Sequence, residues 1–224
     1  FGAAVAIHYG PSGTKYISNQ CSVNEPHKEL VCDTASGVGS KHAVRVEVGL
    51  QLSSNAFTTS TLSYRPPTLA SISGVGATAS STEGGANVIV RGTDFGPPFG
   101  STFFESADIR EYGAWYGRVS RLAVNLPSES HAYRGRRCEV KSDTLMECET
   151  SPGSGKDYSW KIYIGGQASN ILDAKTRYSP PIVSDYVKTP GGVDVNELNT
   201  AGGEELFIVG RNFGPEKNII GNPI

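Results

Sequence analysis

Apolar and polar positions alternate with a period of two over short stretches: Leu69–Ile72, Asn87–Arg91, Arg121–Leu126, Arg137–Lys141, Thr144–Cys148 and Tyr158–Ile164. That period sends successive side chains to opposite faces of an extended chain, the pattern of half-buried strands. Turn-forming residues separate the stretches, as in the Ser/Thr/Gly-rich loop from Ala79 to Gly85. The pattern predicts an all-β fold in which about seven strands per roughly 110 residues pack as a sandwich.

The pattern also repeats. Cys138-Glu-Val, Cys148, Gly153-x-Gly155, Gly166-Gln167-x-Ser169 and Tyr178-x-Pro180-Pro181 follow one another in the second half. The first half reads Cys21-Ser-Val, Cys32, Gly37-x-Gly39, Gly49-x-Gln51-x-Ser53 and Tyr64-x-Pro66-Pro67, in the same order and at nearly the same spacing. After each Pro-Pro comes a second shared block. Gly84-Gly85, Gly92 and Phe95-Gly96-Pro97 match Gly202-Gly203, Gly210 and Phe213-Gly214-Pro215. Agreement in order at this many positions marks an internal repeat of supersecondary size.

Composition supports short strands over helices: 27 Gly and 13 Pro accompany a single Met in 224 residues. A net charge of −2 offers no basic footprint for a phosphate backbone, so nucleic acid is not an expected partner. No apolar run approaches the roughly 20 residues that span a bilayer, so no membrane insertion is expected within this segment. Cys21, Cys32, Cys138 and Cys148 form two close pairs without the CxxC spacing or paired His of a zinc site. Two local disulfides, each bridging adjacent strands or a strand and its loop, are the better reading. They imply an oxidising compartment, outside the cell or at its surface.

A Pro-Pro entry, an apolar strand, Gly-Gly, a further strand, Gly-x-x-Phe-Gly-Pro, a Cys pair and a closing Tyr-x-Pro-Pro together resemble the IPT/TIG domain. The resemblance covers essentially the whole chain and implies tandem immunoglobulin-like β-sandwiches of the cell-surface type. On this reading residues 1–66 are the C-terminal part of one repeat and 67–180 a complete repeat. Residues 181–224 are then the N-terminal part of the next. A departure from the minimal unit is an aromatic insert at 98–118. The family carries no single function, so function has to be argued from sites.

Searches for catalytic, cofactor or metal chemistry find none. Gly153-Ser154-Gly155 is too short for a nucleophile elbow, and its counterpart, Gly37-Val38-Gly39, lacks a hydroxyl. His8, His27, His42 and His131 follow no metal-ligand spacing. Gly74-Val-Gly76 and Gly84-Gly85 precede no Lys-Ser/Thr and read as strand-end glycines. Glu204-Glu205 and Asp143/Glu147/Glu149 read as exposed acids, and Arg134-Gly-Arg136-Arg137 as a solvated loop beside a strand. The expectation is a protein that is not an enzyme.

Within the insert, Phe99, Phe103, Phe104, Tyr112, Trp115 and Tyr116 leave two readings open. They form either a satellite core under a long loop or a contact surface for protein or carbohydrate. Candidate O-glycan acceptors are Thr58, Thr59, Ser60, Thr61, Ser80, Ser81 and Thr82. Pro66, Pro67, Pro97, Pro98, Pro180 and Pro181 would join them if hydroxylated. Otherwise the Pro pairs stiffen the links between repeats.

Residues 181–224 hold the early strands of a repeat and 1–66 the late ones. Their 44 and 66 residues sum to 110, close to the 114 of residues 67–180. The chain thus reads as two periods of a repeat taken out of phase with its domains. The leading expectation is an extracellular filament, stalk or coat whose partners are copies of itself or neighbouring repeats, with glycans as a further partner. The alternative is a receptor or adhesin ectodomain.

Overall fold

The computed structural model describes residues 4–54, 57–100, 111–123, 132–187, 198, 200–203 and 205–216. Among these residues the elements are short antiparallel strands with two single helical turns, α1 (Val75–Thr78) and α2 (Val119–Leu122). The all-β expectation holds.

Among the described residues the strands form five hydrogen-bonded sheets, which group along the chain into three sets. The middle set is a sandwich. One sheet has the order β12 (Arg136–Ser142), β13 (Leu145–Glu149), β9 (Asn87–Thr93), β8 (Thr68–Ser73). The facing sheet has the order β11 (Tyr133–Arg134), β10 (Tyr112–Gly117), β14 (Tyr158–Ile164), β15 (Gln167–Ala168), with β16 (Leu172–Thr176) also on β14. Alternation builds the first sheet as the sequence pattern requires: Val88 and Val90 point into the core, while Asn87 and Arg91 are exposed. Met146, Val140, Trp160, Ile162 and Phe95 complete the shared core.

The first set is a sheet of β2 (Tyr16–Ser18), β1 (Val5–Gly10), β5 (His42–Val48) and β6 (Gln51–Leu52), with β7 (Phe57–Leu62) also on β5. Beside it lies a hairpin of β3 (Cys21–Glu25) and β4 (Glu29–Cys32). The last set is the hairpin β17 (Ile182–Val187)–β18 (Phe207–Arg211).

These sets repeat the middle one in register. Tyr9 sits opposite Val44 as Tyr116 sits opposite Trp160, and Val5 opposite Val48 as Tyr112 opposite Ile164. Ser22 faces Val31 and Val23 faces Leu30, as Glu139 faces Glu147 and Val140 faces Met146. In the last hairpin Val183 opposes Gly210 and Tyr186 opposes Ile208, as Leu69 opposes Gly92 and Ile72 opposes Val90. Even the bulge recurs, between Leu69 and Ser71 and between Val183 and Asp185.

Both disulfides form, Cys21–Cys32 and Cys138–Cys148, each across a local hairpin. No helix among the described residues is long and apolar enough to cross a membrane.

Two expectations change. The strand expected at Arg121–Leu126 begins instead inside α2, a turn that buries Leu122 against Trp115, Ala132 and Tyr163. Residues 124–126 lie outside the described residues.

Of the aromatic cluster, Tyr112, Trp115 and Tyr116 take the core reading rather than the surface one. Tyr112, Trp115 and Tyr116 are buried in β10, whose six residues are all buried. Tyr112 and Tyr116 face the main core. Trp115 faces the smaller cluster under α2 on the other side of the same sheet. Phe99 is half-buried against the main core and edge-on to Tyr112. Phe103 and Phe104 lie outside the described residues. Residues 112–117 are therefore a core strand with a counterpart, β1. The extra length of the middle unit lies after it, where 17 residues lead from Tyr116 to Tyr133 and only seven from Tyr9 to Tyr16.

Candidate functional site

The site that recurs is a glycine-flanked turn ringed by aromatic side chains. In the middle unit Gly153-Ser154-Gly155 is enclosed by Tyr116, Tyr133, Tyr158 and Tyr178, whose rings pack at centroid distances of 5.3–6.4 Å. Each ring comes from a different element: β10, β11, β14 and the segment after β16. Tyr133 Oη donates to the carbonyl of Ser154 and accepts from its amide, both at 3.1 Å. Tyr158 Oη donates to the same carbonyl at 2.6 Å. Only glycine fits at 153, where a Cβ would come within 2.6 Å of the Tyr133 ring and 2.7 Å of the Tyr178 hydroxyl.

The first unit builds the same ring around Gly37-Val38-Gly39 from Tyr9, Tyr16, Tyr64 and His42. Tyr16 Oη donates to the Val38 carbonyl at 2.8 Å and accepts from its amide at 3.0 Å. A Cβ on Gly37 would meet Tyr16 and the Tyr64 hydroxyl at 2.6–2.7 Å. His42 stands where Tyr158 stands, with Nε2 3.2 Å from the Val38 carbonyl. Its buried Nδ1 has no hydrogen-bond partner among the described residues.

Burial sets the ionisation of the rings. It pushes Tyr178, Tyr116, Tyr158 and Tyr64 above the ordinary phenol range, because a phenolate would lose its hydration there. It holds His42 below its ordinary value, against the Val38 carbonyl and helped by the charge of Lys15.

The turns project outward onto the next unit. Val38 leaves its own ring and joins the core of the middle sandwich with Phe95. Gly96, at φ +80°, lies against the Val38 side chain, and a side chain there would collide with it. Gly165 likewise abuts the backbone of Gly39, and Gln167 Nε2 donates to the carbonyl of Tyr64 at 3.0 Å. Burial beside Tyr16 and Glu111 pushes Tyr112 up to about 12. One unit further, Ser154 occupies the place of Val38. A Cβ on Gly214 would lie 3.2 Å from its Cβ. The same Gly-x-Gly turn therefore meets the same Phe-Gly-Pro turn at both joints.

Other singled-out residues are absorbed by structure. Asp143 accepts from the amide of Gly96 at 3.0 Å, bracing the joint. Glu139 lies 2.7 Å and Glu147 4.0 Å from Lys141, and Glu149 pairs with Arg137. His8 contacts Glu47 at 2.7 Å, His27 occupies an exposed turn, and His131 and Glu204 lie outside the described residues. Among the described residues no three His, Cys, Asp or Glu side chains gather as metal ligands.

Of the candidate glycan acceptors, Ser80 and Thr82 are buried, and Ser80 Oγ shares a 2.7 Å hydrogen bond with Thr150. They are corrected to core-lining hydroxyls. Pro67 is buried as well, while Pro66, Pro98, Pro180, Pro181, Thr61 and Ser81 are exposed and Pro97 is half-buried. The side chains of Thr58, Thr59 and Ser60 lie outside the described set.

The sequence signalled both halves of the joint, as the doubled Gly-x-Gly and the doubled Phe-Gly-Pro. It did not signal that one sits on the other, because the contact crosses a repeat boundary. Compared with known proteins, the chain matches no family model and no curated sequence.

Proposed function

We propose that the protein is a non-enzymatic, extracellular structural module of a linear array of IPT/TIG-like sandwiches, acting as a filament, stalk or coat. One observation carries this reading: the ringed turn abuts the Phe-Gly-Pro turn of the following unit at two successive joints, Val38 on Gly96 and Ser154 on Gly214. A contact that recurs in the same sense along a chain is heterologous, and such contacts extend into lines unless a rotation closes them. The buried valine and the close glycine contacts make the first joint a packed one, so the array is a stiff string of beads rather than beads on a slack tether. Two disulfides support an oxidising location.

The receptor reading used the aromatic cluster, and it has less support because Tyr112, Trp115 and Tyr116 are buried. Glycans remain a proposed partner at the exposed acceptors named above and at Thr58, Thr59 and Ser60.

Negative-stain microscopy of the native protein tests the reading. The expected result is fibres whose axial repeat is on the order of 80 Å for two sandwiches end to end. Discrete particles of one or two beads at every concentration would overturn it.

A further inference from the structure

His42 is a buried imidazole that the repeat does not require, since the middle unit has Tyr158 in its place. The ring is 1% exposed. Nε2 lies 3.2 Å from the Val38 carbonyl, which can only accept, so Nε2 carries the proton and Nδ1 the lone pair. Nδ1 has no hydrogen-bond partner among the described residues. The rings around Tyr158 are Tyr116, Tyr133 and Tyr178, and those around His42 are their counterparts Tyr9, Tyr16 and Tyr64. The aromatic surround of His42 is therefore complete within residues 9–64.

His42 supports the part of the first unit that meets the middle one. Its ring packs against Gly39, where a Cβ would lie 3.0 Å from the imidazole Cε1 and 3.2 Å from the Gly165 carbonyl oxygen of the middle unit. It bonds the carbonyl of Val38, whose side chain enters the middle core beside Gly96. Gly39 accepts from the amide of Tyr64 at 2.9 Å, and the Tyr64 carbonyl accepts from Gln167 across the joint. Val38, Gly39 and Tyr64 all touch the middle unit, and all three pack on this one ring.

A second proton would go to Nδ1, where no acceptor receives it. The titratable groups that face the ring are Tyr9 from β1, Tyr16 and Lys15 at β2, and Tyr64, none of them a carboxylate. Lys15 repels an imidazolium. From the middle unit it is backbone, at Gly165, that comes up against Gly39. His8, Arg45 and Glu47 lie on the opposite face, by the alternation of β1 and β5. A buried charge without a partner is relieved by moving to water. An imidazolium that swings out takes its N–H from the Val38 carbonyl and its support from Gly39.

We propose that protonation of His42 opens the joint between the first unit and the middle sandwich, turning a packed contact into a hinge, while the joint at Ser154 stays closed. At that second joint Tyr158 replaces His42, and burial keeps its phenol neutral, so acid has no ring to charge there. The contact lies within one chain, so this inference goes beyond the array reading and stands without it.

Amide hydrogen exchange of the whole chain, followed by nuclear magnetic resonance and corrected for the intrinsic rate, tests it. The reporters are the amides of Val38, bonded to Tyr16 Oη, and Tyr64, bonded to Gly39, with Phe95, bonded to Asp143, across the joint. Their matched controls are Ser154, bonded to Tyr133 Oη, and Tyr178, bonded to Gly155. Between pH 7.5 and pH 5.5, one unit below the ordinary imidazole value of 6.5, protection at Val38, Tyr64 and Phe95 should fall by about tenfold, the effect of one coupled proton. Ser154 and Tyr178 should keep theirs. His42→Gln, which retains a donor for the Val38 carbonyl but does not titrate, and His42→Tyr should each remove the pH dependence. Equal loss at Ser154 and Tyr178 would mean general acid unfolding and overturn the switch. Loss at Val38 with Phe95 unchanged would confine the effect to the ring and overturn the hinge. A pH dependence that survives in both variants would assign the proton elsewhere, with the same result.

Discussion

The hydroxyls of Tyr116 and Tyr178 lie 2.6 Å apart in the core of the middle sandwich and close a ring of hydrogen bonds with Ser151. Tyr116 accepts from the Ser151 amide at 2.9 Å and donates to Tyr178, which donates to the Ser151 carbonyl at 2.7 Å. Removing one hydroxyl strands its buried neighbours. Tyr178→Phe is expected to cost about 1–3 kcal/mol, measured by urea unfolding, because the carbonyl and the Tyr116 hydroxyl lose a partner that water cannot replace. The equivalent Tyr64→Phe should cost less, since Tyr64 is only half-buried.

Gly153 takes an ordinary backbone conformation, so its requirement is steric. Gly153→Ala should destabilise the chain by about 1–3 kcal/mol through overpacking against Tyr133. Paired with it, Tyr133→Leu in the same chain should recover part of the loss. A cost that Tyr133→Leu leaves unchanged would show that the ring does not set the glycine.

His42 makes the first unit sensitive to acid. Its neighbours in the ring are Tyr9 from β1, Tyr16 with Lys15 at β2, and Tyr64, none of them a counter-charge for an imidazolium. Because its pKa is lowered in the folded protein, the unfolded chain binds the proton first as pH falls. Stability is therefore level above the ordinary value of 6.5 and declines as pH drops from there towards the lower folded value. Thermal melts between neutral and mildly acid pH should show this decline, and His42→Tyr, which copies Tyr158, should remove it.

Trp115 fills the small core beneath α2 with Leu122, Ala132 and Tyr163. Trp115→Ala is expected to cost about 3–5 kcal/mol of stability while leaving fibre length and repeat unchanged, as seen by microscopy at a temperature where the variant is folded. Loss of assembly from a folded variant would return Trp115 to a contact surface.

The strands were legible where one face of a sheet is wet. Val88 and Val90 between exposed Asn87 and Arg91 write the alternation into the sequence. Fully buried β14 was legible as well, because Ser159 and Lys161 alternate with its apolar residues. The pattern fails where both faces are covered and no such polar residues mark a face. β10, Tyr-Gly-Ala-Trp-Tyr-Gly, has a core on each side and no polar residue to mark a face, so it read as an insert. α2 escaped for a different reason, because one turn is too short to display a period.

By itself the sequence determined the all-β class, the two local disulfides and the register of the repeat. Each of these is carried by residues near one another in the chain or by the same residues recurring at a fixed interval. Only the tertiary structure decided which aromatics are core, that four rings close around each Gly-x-Gly turn, and that Val38 enters the sandwich that follows it. Those outcomes depend on contacts between residues far apart in sequence, such as Val38 with Gly96 and Tyr116 with Tyr178. Their geometry is set by how two sheets stack, which no local pattern encodes.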